Sequence, residues 1–329
     1  MKKFVKKNLF LILIILVIIF SMLLPGPGLY VKKIGLLNAF TFIAMFLSGL
    51  SLSFTDITES LMDYKSIVFS MVMAFAIFPL LAYLLCKGVF AAGTDIFVGA
   101  MIISTQASTV TSAIVLTMTA SGNVPLAIII TILNNTVSAF ITPMLLNFLL
   151  TMDQKVSFNV TDMILNLITV LIVPVILAQL CKAFLKKAVT FIMPWRKIIA
   201  NFVVLMFVLI GASTAAPEIS THMQDVFLIL LFVILLHFVS LGICFAYSCF
   251  AKLSTEKMPS VMFCSSEKTM TTSTMVWGNY FPQFAIAPIV IVSYHVCQIF
   301  IDSIIANAFM KKITQSAGAS ASAGVSEQA

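Results

Sequence analysis

The sequence predicts an all-α polytopic membrane protein of about ten transmembrane helices, arranged as two inverted five-helix repeats. Three observations predict it. Of 329 residues, 61% are hydrophobic and 9% charged, with a mean hydropathy of +1.12; a soluble domain is about half apolar and a quarter charged. Apolar runs near the length needed to cross a bilayer core of about 30 Å recur along the chain. Those runs are rich in Leu, Ile, Phe, Met and Ala, without the alternate-residue polarity of a transmembrane barrel strand.

The elements follow in order. The first run, 9–24, comes after Lys2, Lys3, Lys6 and Lys7 and ends at "LLPGPG". That motif reads as a helix stop and turn rather than a small-residue cleavage site, so the run is expected to be a span and not a signal peptide. Further spans are expected at 34–53, 66–86, 96–119 and 123–149, the last two parted only by "SGN" (Ser121 to Asn123). The second half supplies 161–184, 198–216, 225–250, 258–277 and 284–310. The first repeat then covers 1–150 and the second 158–312. The remainder, 313–329 ("SAGASASAGVSEQA" and its approach), is small and polar and is expected to be a disordered cytoplasmic tail.

The formal charge of +7 follows from topology and is no nucleic-acid signal. With ten spans, one side of the membrane holds 14 Lys and Arg residues, including Lys182, Lys186, Lys187, Arg196 and Lys197. The other side holds four: Lys32, Lys33, Lys87 and Lys155. The positive-inside rule places both termini in the cytoplasm and the protein in the cytoplasmic (inner) membrane. The six cysteines lie in or beside apolar runs with no CxxC pair, so they read as small buried hydrophobes. No Walker loop, GxSxG or HExxH occurs, which argues against an enzyme and against an organic cofactor.

Two polar stretches interrupt this apolar background. "STQASTVTSAIVLTMTASGN" (Ser104 to Asn123) and "SSEKTMTTSTMVWGN" (Ser265 to Asn279) are both hydroxyl-rich, both end in Gly-Asn, and each is the fourth span of its half. Their Gly-Asn pairs lie 156 positions apart, and each is followed by a proline, Pro125 or Pro282. Five spans per half invert the second copy, the plan of many secondary transporters. A single Ser or Thr in a membrane helix ordinarily bonds back to its own helix. Thr105, Ser108, Thr109, Thr111 and Ser112 together cannot all face one neighbour. With carbonyls freed by a helix break they would make an oxygen cage for a hard cation such as Na⁺.

Glu267 and Lys268 are costly in a bilayer unless they are paired or line a polar cavity. Side by side on a helix they point about 100° apart, so each needs its own partner. A carboxylate within a hydroxyl cage suits a cation; an ammonium suits either a substrate anion or a position that a cation fills elsewhere. Asn134 and Asn135, in the span after the first polar stretch, are near enough to complete a site. His237 reads as a core histidine. His295 and Asp302, seven apart, are able to share one helix face as a proton relay.

At these residues the chain resembles the bile acid:sodium symporter superfamily, in its divergent SBF-like branch. The resemblance rests on "VTSAIVLTMTASGNVPLAI" (Val110 to Ile128), "FCSSEKTM" (Phe263 to Met270), "PIVIVSYHVCQIFID" (Pro288 to Asp302) and "FAIFPLLAYLL" (Phe75 to Leu85), and covers residues 10–312. It implies a panel domain of helices 1, 2, 6 and 7 against a core domain in which helices 4 and 9 are broken and cross near the midplane. It also implies transport of a small organic anion, coupled to sodium, by alternating access.

Carried over, Thr111, Ser112, Thr131, Cys264 and Glu267 form the candidate sodium site. Lys268, Thr269, Thr271, Asn135, Ser108 and Thr109 form the candidate substrate site. The chain departs from the family at two points. Lys268 falls where a Gln is usual, with Cys264 at the usual Glu unless the register shifts to Glu267, and Ala74 stands where sodium-coupled members often carry a Gln. These departures suggest that the Lys268 ammonium fills the second cation position. The alternatives are a sodium-independent transporter, an exporter of metalloids or anions on the same plan, with Cys264 as its thiol, and a non-transporting regulator of ion or envelope homeostasis.

Overall fold

The computed structural model describes residues 2–52, 62–91, 93–153, 158–219 and 223–326. Among them the chain is helical, with short connections and no strand. In chain order the helices are α1 (Lys2–Leu23), α2 (Gly26–Lys33), α3 (Leu37–Ser51), α4 (Tyr64–Val89), α5 (Asp95–Ser104), α6 (Val110–Thr119) and α7 (Val124–Asp153). There follow α8 (Val160–Phe184), α9 (Lys186–Ile192), α10 (Arg196–Ile219), α11 (Met223–Phe250), α12 (Lys257–Ser266), α13 (Met270–Tyr280) and α14 (Ala287–Ser326).

Six of these are long and apolar enough to cross a membrane: α4, α7, α8, α10, α11 and α14. The "LLPGPG" motif bends α1 against α2 by 94°, and that pair counts as a seventh if taken as one span. The expected second span is the 15-residue α3. The expected fourth and ninth spans are each divided, into α5 with α6 and α12 with α13. Outward-facing apolar side chains such as Leu80, Phe140, Phe148, Phe238 and Phe300 make a surface that belongs in lipid. The protein is an integral membrane protein.

Two helices widen in mid-course. Met73–Ile77 in α4 and Ile168–Ile172 in α8 form π-helical turns, and each is followed by a proline, Pro79 or Pro174. A proline has no N–H for the carbonyl four residues back, and the wider turn absorbs that break in the ladder.

Helices α1 and α2 pack on α10, and α3 packs on α8. Helix α4 packs on α5, α11 on α12, α5 on α14, and α12 on α7. Glycine permits a close approach of two backbones: a Cβ on Gly99 of α5 would lie 2.6 Å from the backbone oxygen of Ala287 at the start of α14. At one end of the molecule the two halves are tied by Asn123 N–H donating to Glu256 O (2.7 Å) and Ser260 Oγ donating to Asn123 O (2.7 Å). Helix α14 runs on to Ser326, through the segment expected as a tail.

Candidate functional site

The chain leaves helix at 105–109, between α5 and α6, and again at 267–269, between α12 and α13. Neither break holds a proline or a glycine. Both are crowded with Ser and Thr, whose hydroxyls compete with the backbone for its own hydrogen bonds. Thr109, Glu267 and Thr269 are all extended, with ψ of 131°, 150° and 120°.

The two breaks meet, and every carbonyl freed in the first is accounted for between 105 and 108. Thr142 Oγ1 donates to Thr105 O (2.6 Å). Lys268 Nζ donates to Gln106 O (2.9 Å). Thr269 N–H donates to Ala107 O (3.0 Å). Asn135 Nδ2 donates to Ser108 O (3.0 Å). A buried carbonyl without a partner costs ~1–3 kcal/mol, so these four donors are what make the break tolerable. On the other side, Gln298 grips the Lys268 backbone twice, accepting from its N–H (2.8 Å) and donating to its oxygen (2.9 Å).

The two adjacent charges face different ways. Lys268 is fully buried. Besides Gln106 O, its ammonium donates to Ala74 O (2.7 Å) and lies 4.4 Å from the centre of the Phe78 ring. The Ala74 carbonyl belongs to the π-helical turn of α4. Glu267 is also fully buried. Its Oε2 accepts from Thr109 Oγ1 and from Ser112 Oγ (2.6 Å), while its Oε1 has no hydrogen-bond partner. Ser108 Oγ and Asn135 Oδ1, on two residues joined by the Asn135 Nδ2 to Ser108 O bond, are also buried and unpartnered. The result is one carboxylate, a ring of hydroxyls and spare oxygen valences, the donor set a hard monovalent cation takes.

Of the residues expected at the sodium site, Ser112 and Glu267 bond directly. Thr111 stands beside them, its hydroxyl 3.4 Å from Ser48 Oγ on α3. The Thr131 hydroxyl turns back onto its own helix, donating to Ala127 O and Ile128 O at 2.9 Å. The Cys264 thiol turns to Ala127 O (3.6 Å) on α7. Of the residues expected to hold substrate, Thr109 is bound to Glu267, Lys268 to the two carbonyls, and Asn135 to Ser108 O and Thr131 O. Thr269 and Thr271 are 3.0 Å apart at their hydroxyls. Both line a cleft of about 320 Å³ that also reaches Ser48, Thr109, Thr111 and Ser112, with Arg196 and Lys197 among its walls.

Sequence reasoning missed several members. Ser70 on α4 takes bonds from Ser265 (2.9 Å) and Asn134 (3.3 Å). Gln298 was visible as a polar residue in an apolar run, but nothing in the sequence says that it braces Lys268. Asp302 does not bond His295. Its partner is His237, on another helix, at 2.9 Å, and His295 Nδ1 instead meets Gln298 Nε2 at 3.0 Å.

Known proteins resemble this chain along most of its length. A sodium/bile acid cotransporter 7 of Danio rerio is 25% identical over 315 residues, covering 92% of this chain and 93% of its own. A sodium/bile acid cotransporter 7-B of Xenopus laevis is 26% identical, covering 91% of each chain. A probable sodium/metabolite cotransporter BASS4, chloroplastic, of Arabidopsis thaliana is 26% identical over 232 residues, covering 66% of this chain and 53% of its own. The model of one transporter family matches residues 8–311. The chain belongs to the SBF-like CPA transporter family.

Proposed function

We propose that this protein is a secondary transporter that moves a small organic anion together with one Na⁺, and that Lys268 permanently fills a second cation position. One observation carries the reading. Where the two broken helices meet, a fixed ammonium is bound by two backbone carbonyls, and beside it a carboxylate keeps an unpartnered oxygen within a set of hydroxyls. The sodium is cargo, held by Glu267, Thr109 and Ser112, with Ser108 and Asn135 supplying spare oxygens. The anion occupies the cleft beside Thr269 and Thr271.

The packing supports ten spans in two inverted repeats. Number α1/α2 as the first span, α5/α6 as the fourth, α12/α13 as the ninth and α14 as the tenth. Exchanging the first five spans with the last five then maps the α1–α10 contact onto α8–α3, α4–α5 onto α11–α12, and α14–α5 onto α7–α12. The panel is α1 to α3 with α8 and α10, and the remaining spans are the core. Arg196 and Lys197 belong to the lysine-rich loops that the positive-inside rule puts in the cytoplasm, so the cleft they wall opens inward. They draw anions to its mouth by charge.

Uptake into proteoliposomes tests this. Organic anions are first screened by thermal shift in Na⁺ and in choline, and hits are followed as flux. Wild-type flux requires Na⁺, and Glu267→Ala and Ser112→Ala each abolish it while the protein remains monodisperse. Normal flux from both variants places the site elsewhere. Arsenite resistance on expression, lost in Cys264→Ser, would instead favour metalloid export.

A further inference from the structure

A second buried polar group lies beside the crossing and plays no part in the cation cage. His237 on α11 and Asp302 on α14 are both fully buried. His237 Nε2 is 2.9 Å from Asp302 Oδ1, and His237 Nδ1 is 3.0 Å from the Tyr294 hydroxyl. That hydroxyl donates to Ser266 O at 2.9 Å. Ser266 is the last residue of α12 and adjoins Glu267. Asp302 Oδ2 has no partner.

Proton accounting fixes the state of this chain. A carbonyl has no proton to give, so the single proton of Tyr294 is committed to Ser266 O. The Tyr294 oxygen is then only an acceptor towards His237, and Nδ1 must carry the proton between them. Nε2 faces Asp302 at hydrogen-bonding distance, and that contact needs one more proton, on either Oδ1 or Nε2. The pair therefore holds one exchangeable proton and no net charge.

Removing that proton has one comfortable outcome. Asp302 keeps its negative charge, and a bare Nε2 lone pair cannot face it. The imidazole moves its remaining proton from Nδ1 to Nε2, where it donates to Asp302. Nδ1 becomes an acceptor, the Tyr294 hydroxyl turns to donate to it, and Ser266 O loses its partner. One proton leaves to solvent and every other proton stays on the chain.

We propose that His237, Asp302 and Tyr294 form a proton-binding site whose proton opposes a cation at Glu267, so that the entering cation expels it. The cation half rests on the reading of Glu267 above. With the proton present, Glu267, Lys268 and the pair sum to zero charge; without it they sum to one negative charge, which a monovalent cation restores to zero. In a low-dielectric core that compensation is strong. The ionisable groups that interact with Asp302 are His237 and Cys244 from α11, Glu267 from the break, and Tyr294 on its own helix; Lys268 in turn interacts with Cys244. Of these only His237 and Tyr294 form the hydrogen-bonded chain from Asp302 to Ser266.

The test reads the imidazole directly. The full-length protein, labelled with ¹⁵N-histidine, is titrated in lipid nanodiscs. It has three histidines, and His237 is assigned from its absence in His237→Gln. The expected result is one pH step, with Nδ1 protonated below it and only Nε2 protonated above it. The same tautomer at every pH overturns the proposal without need of any variant. Asp302→Asn, if it folds, should lose the step. The titration is then repeated in NaCl and in choline chloride. Sodium should move the step to lower pH, by about one unit per tenfold rise in sodium once competition is complete. An unmoved step in protein that binds radiolabelled sodium overturns the coupling. Protein that binds no sodium overturns the cation reading of Glu267 and with it the coupling, while the tautomer step still decides the proton site.

Discussion

Substituting Lys268 by glutamine separates a built-in cation from a substrate-binding one. In the wild type the ammonium makes two charge-assisted bonds, to Ala74 O at 2.7 Å and Gln106 O at 2.9 Å, each worth ~1.5–3 kcal/mol. A glutamine amide is shorter and uncharged, and at best it satisfies one of the two carbonyls. The other is left buried and bare at a cost of ~1–3 kcal/mol. A sodium ion in the space of the ammonium would meet both carbonyls and the new amide oxygen, recovering that cost. Lys268→Gln should therefore bind a second sodium, and sodium should stabilise it by roughly 1–3 kcal/mol more than it stabilises the wild type, following the mass-action relation between binding and unfolding. The assay is equilibrium binding of radiolabelled sodium to purified protein, paired with melting curves in sodium and in choline. Two sodium ions in the wild type would refute the reasoning. So would one in both proteins with the same sodium-dependent rise in Tm.

Further predictions follow from other contacts. Glu267→Gln keeps the shape of the side chain and one hydrogen-bonding oxygen but removes the charge, so sodium binding is lost while the melting temperature in choline is unchanged or higher. Gly99→Ala brings a Cβ within 2.6 Å of Ala287 O and 2.9 Å of its Cα. Backbone atoms have nowhere to go, and we expect a loss of about 1–3 kcal/mol, read as a lower Tm and a smaller monodisperse fraction. At the end of α4, burial raises the pKa of the Asp63 carboxyl, but the Lys257 ammonium, 2.8 Å away, and Ser66 outweigh it and hold the group below the usual carboxylate range. With its folded pKa depressed, its contribution is present above about pH 4 and lost as pH falls through the folded value. Both partners are partly exposed, so the contribution stays under about 1 kcal/mol. The Tm gap between wild type and Lys257→Ala should close in acid.

The long apolar helices were legible because lipid demands them, and the breaks because hydroxyls cluster inside otherwise apolar runs at Ser104–Ser112 and Ser265–Thr274. The matching Gly-Asn endings pointed to two related segments before any helix was placed. What sequence did not carry is which way a side chain turns. Thr131 has the right chemistry and position for the cage, yet its hydroxyl bonds its own helix, as threonines in helices commonly do. His295 and Asp302 share a helix face by spacing, since seven residues make about two helical turns. The residue that Asp302 meets, His237, is 65 positions away on α11, and only the packing of α11 on α14 brings the two together. The same holds for Gln298 and Ser70, whose roles depend on neighbours far along the chain.

The order of the two charges, acid before base, has a consequence of its own. Thr109 and Ser112, which hold Glu267, are the first turn of α6; Gln106 O, which holds Lys268, lies just past the last turn of α5. A helix carries roughly half a positive charge at its start and half a negative charge at its end, so each side chain of the second broken helix neutralises one exposed pole of the first. Reversing the pair to Lys-Glu would set like against like at both poles. The crossing is thus electrically balanced by the chain alone. If the core shifts across the membrane field, Glu267 and Lys268 together add no net charge to the current of a transport cycle.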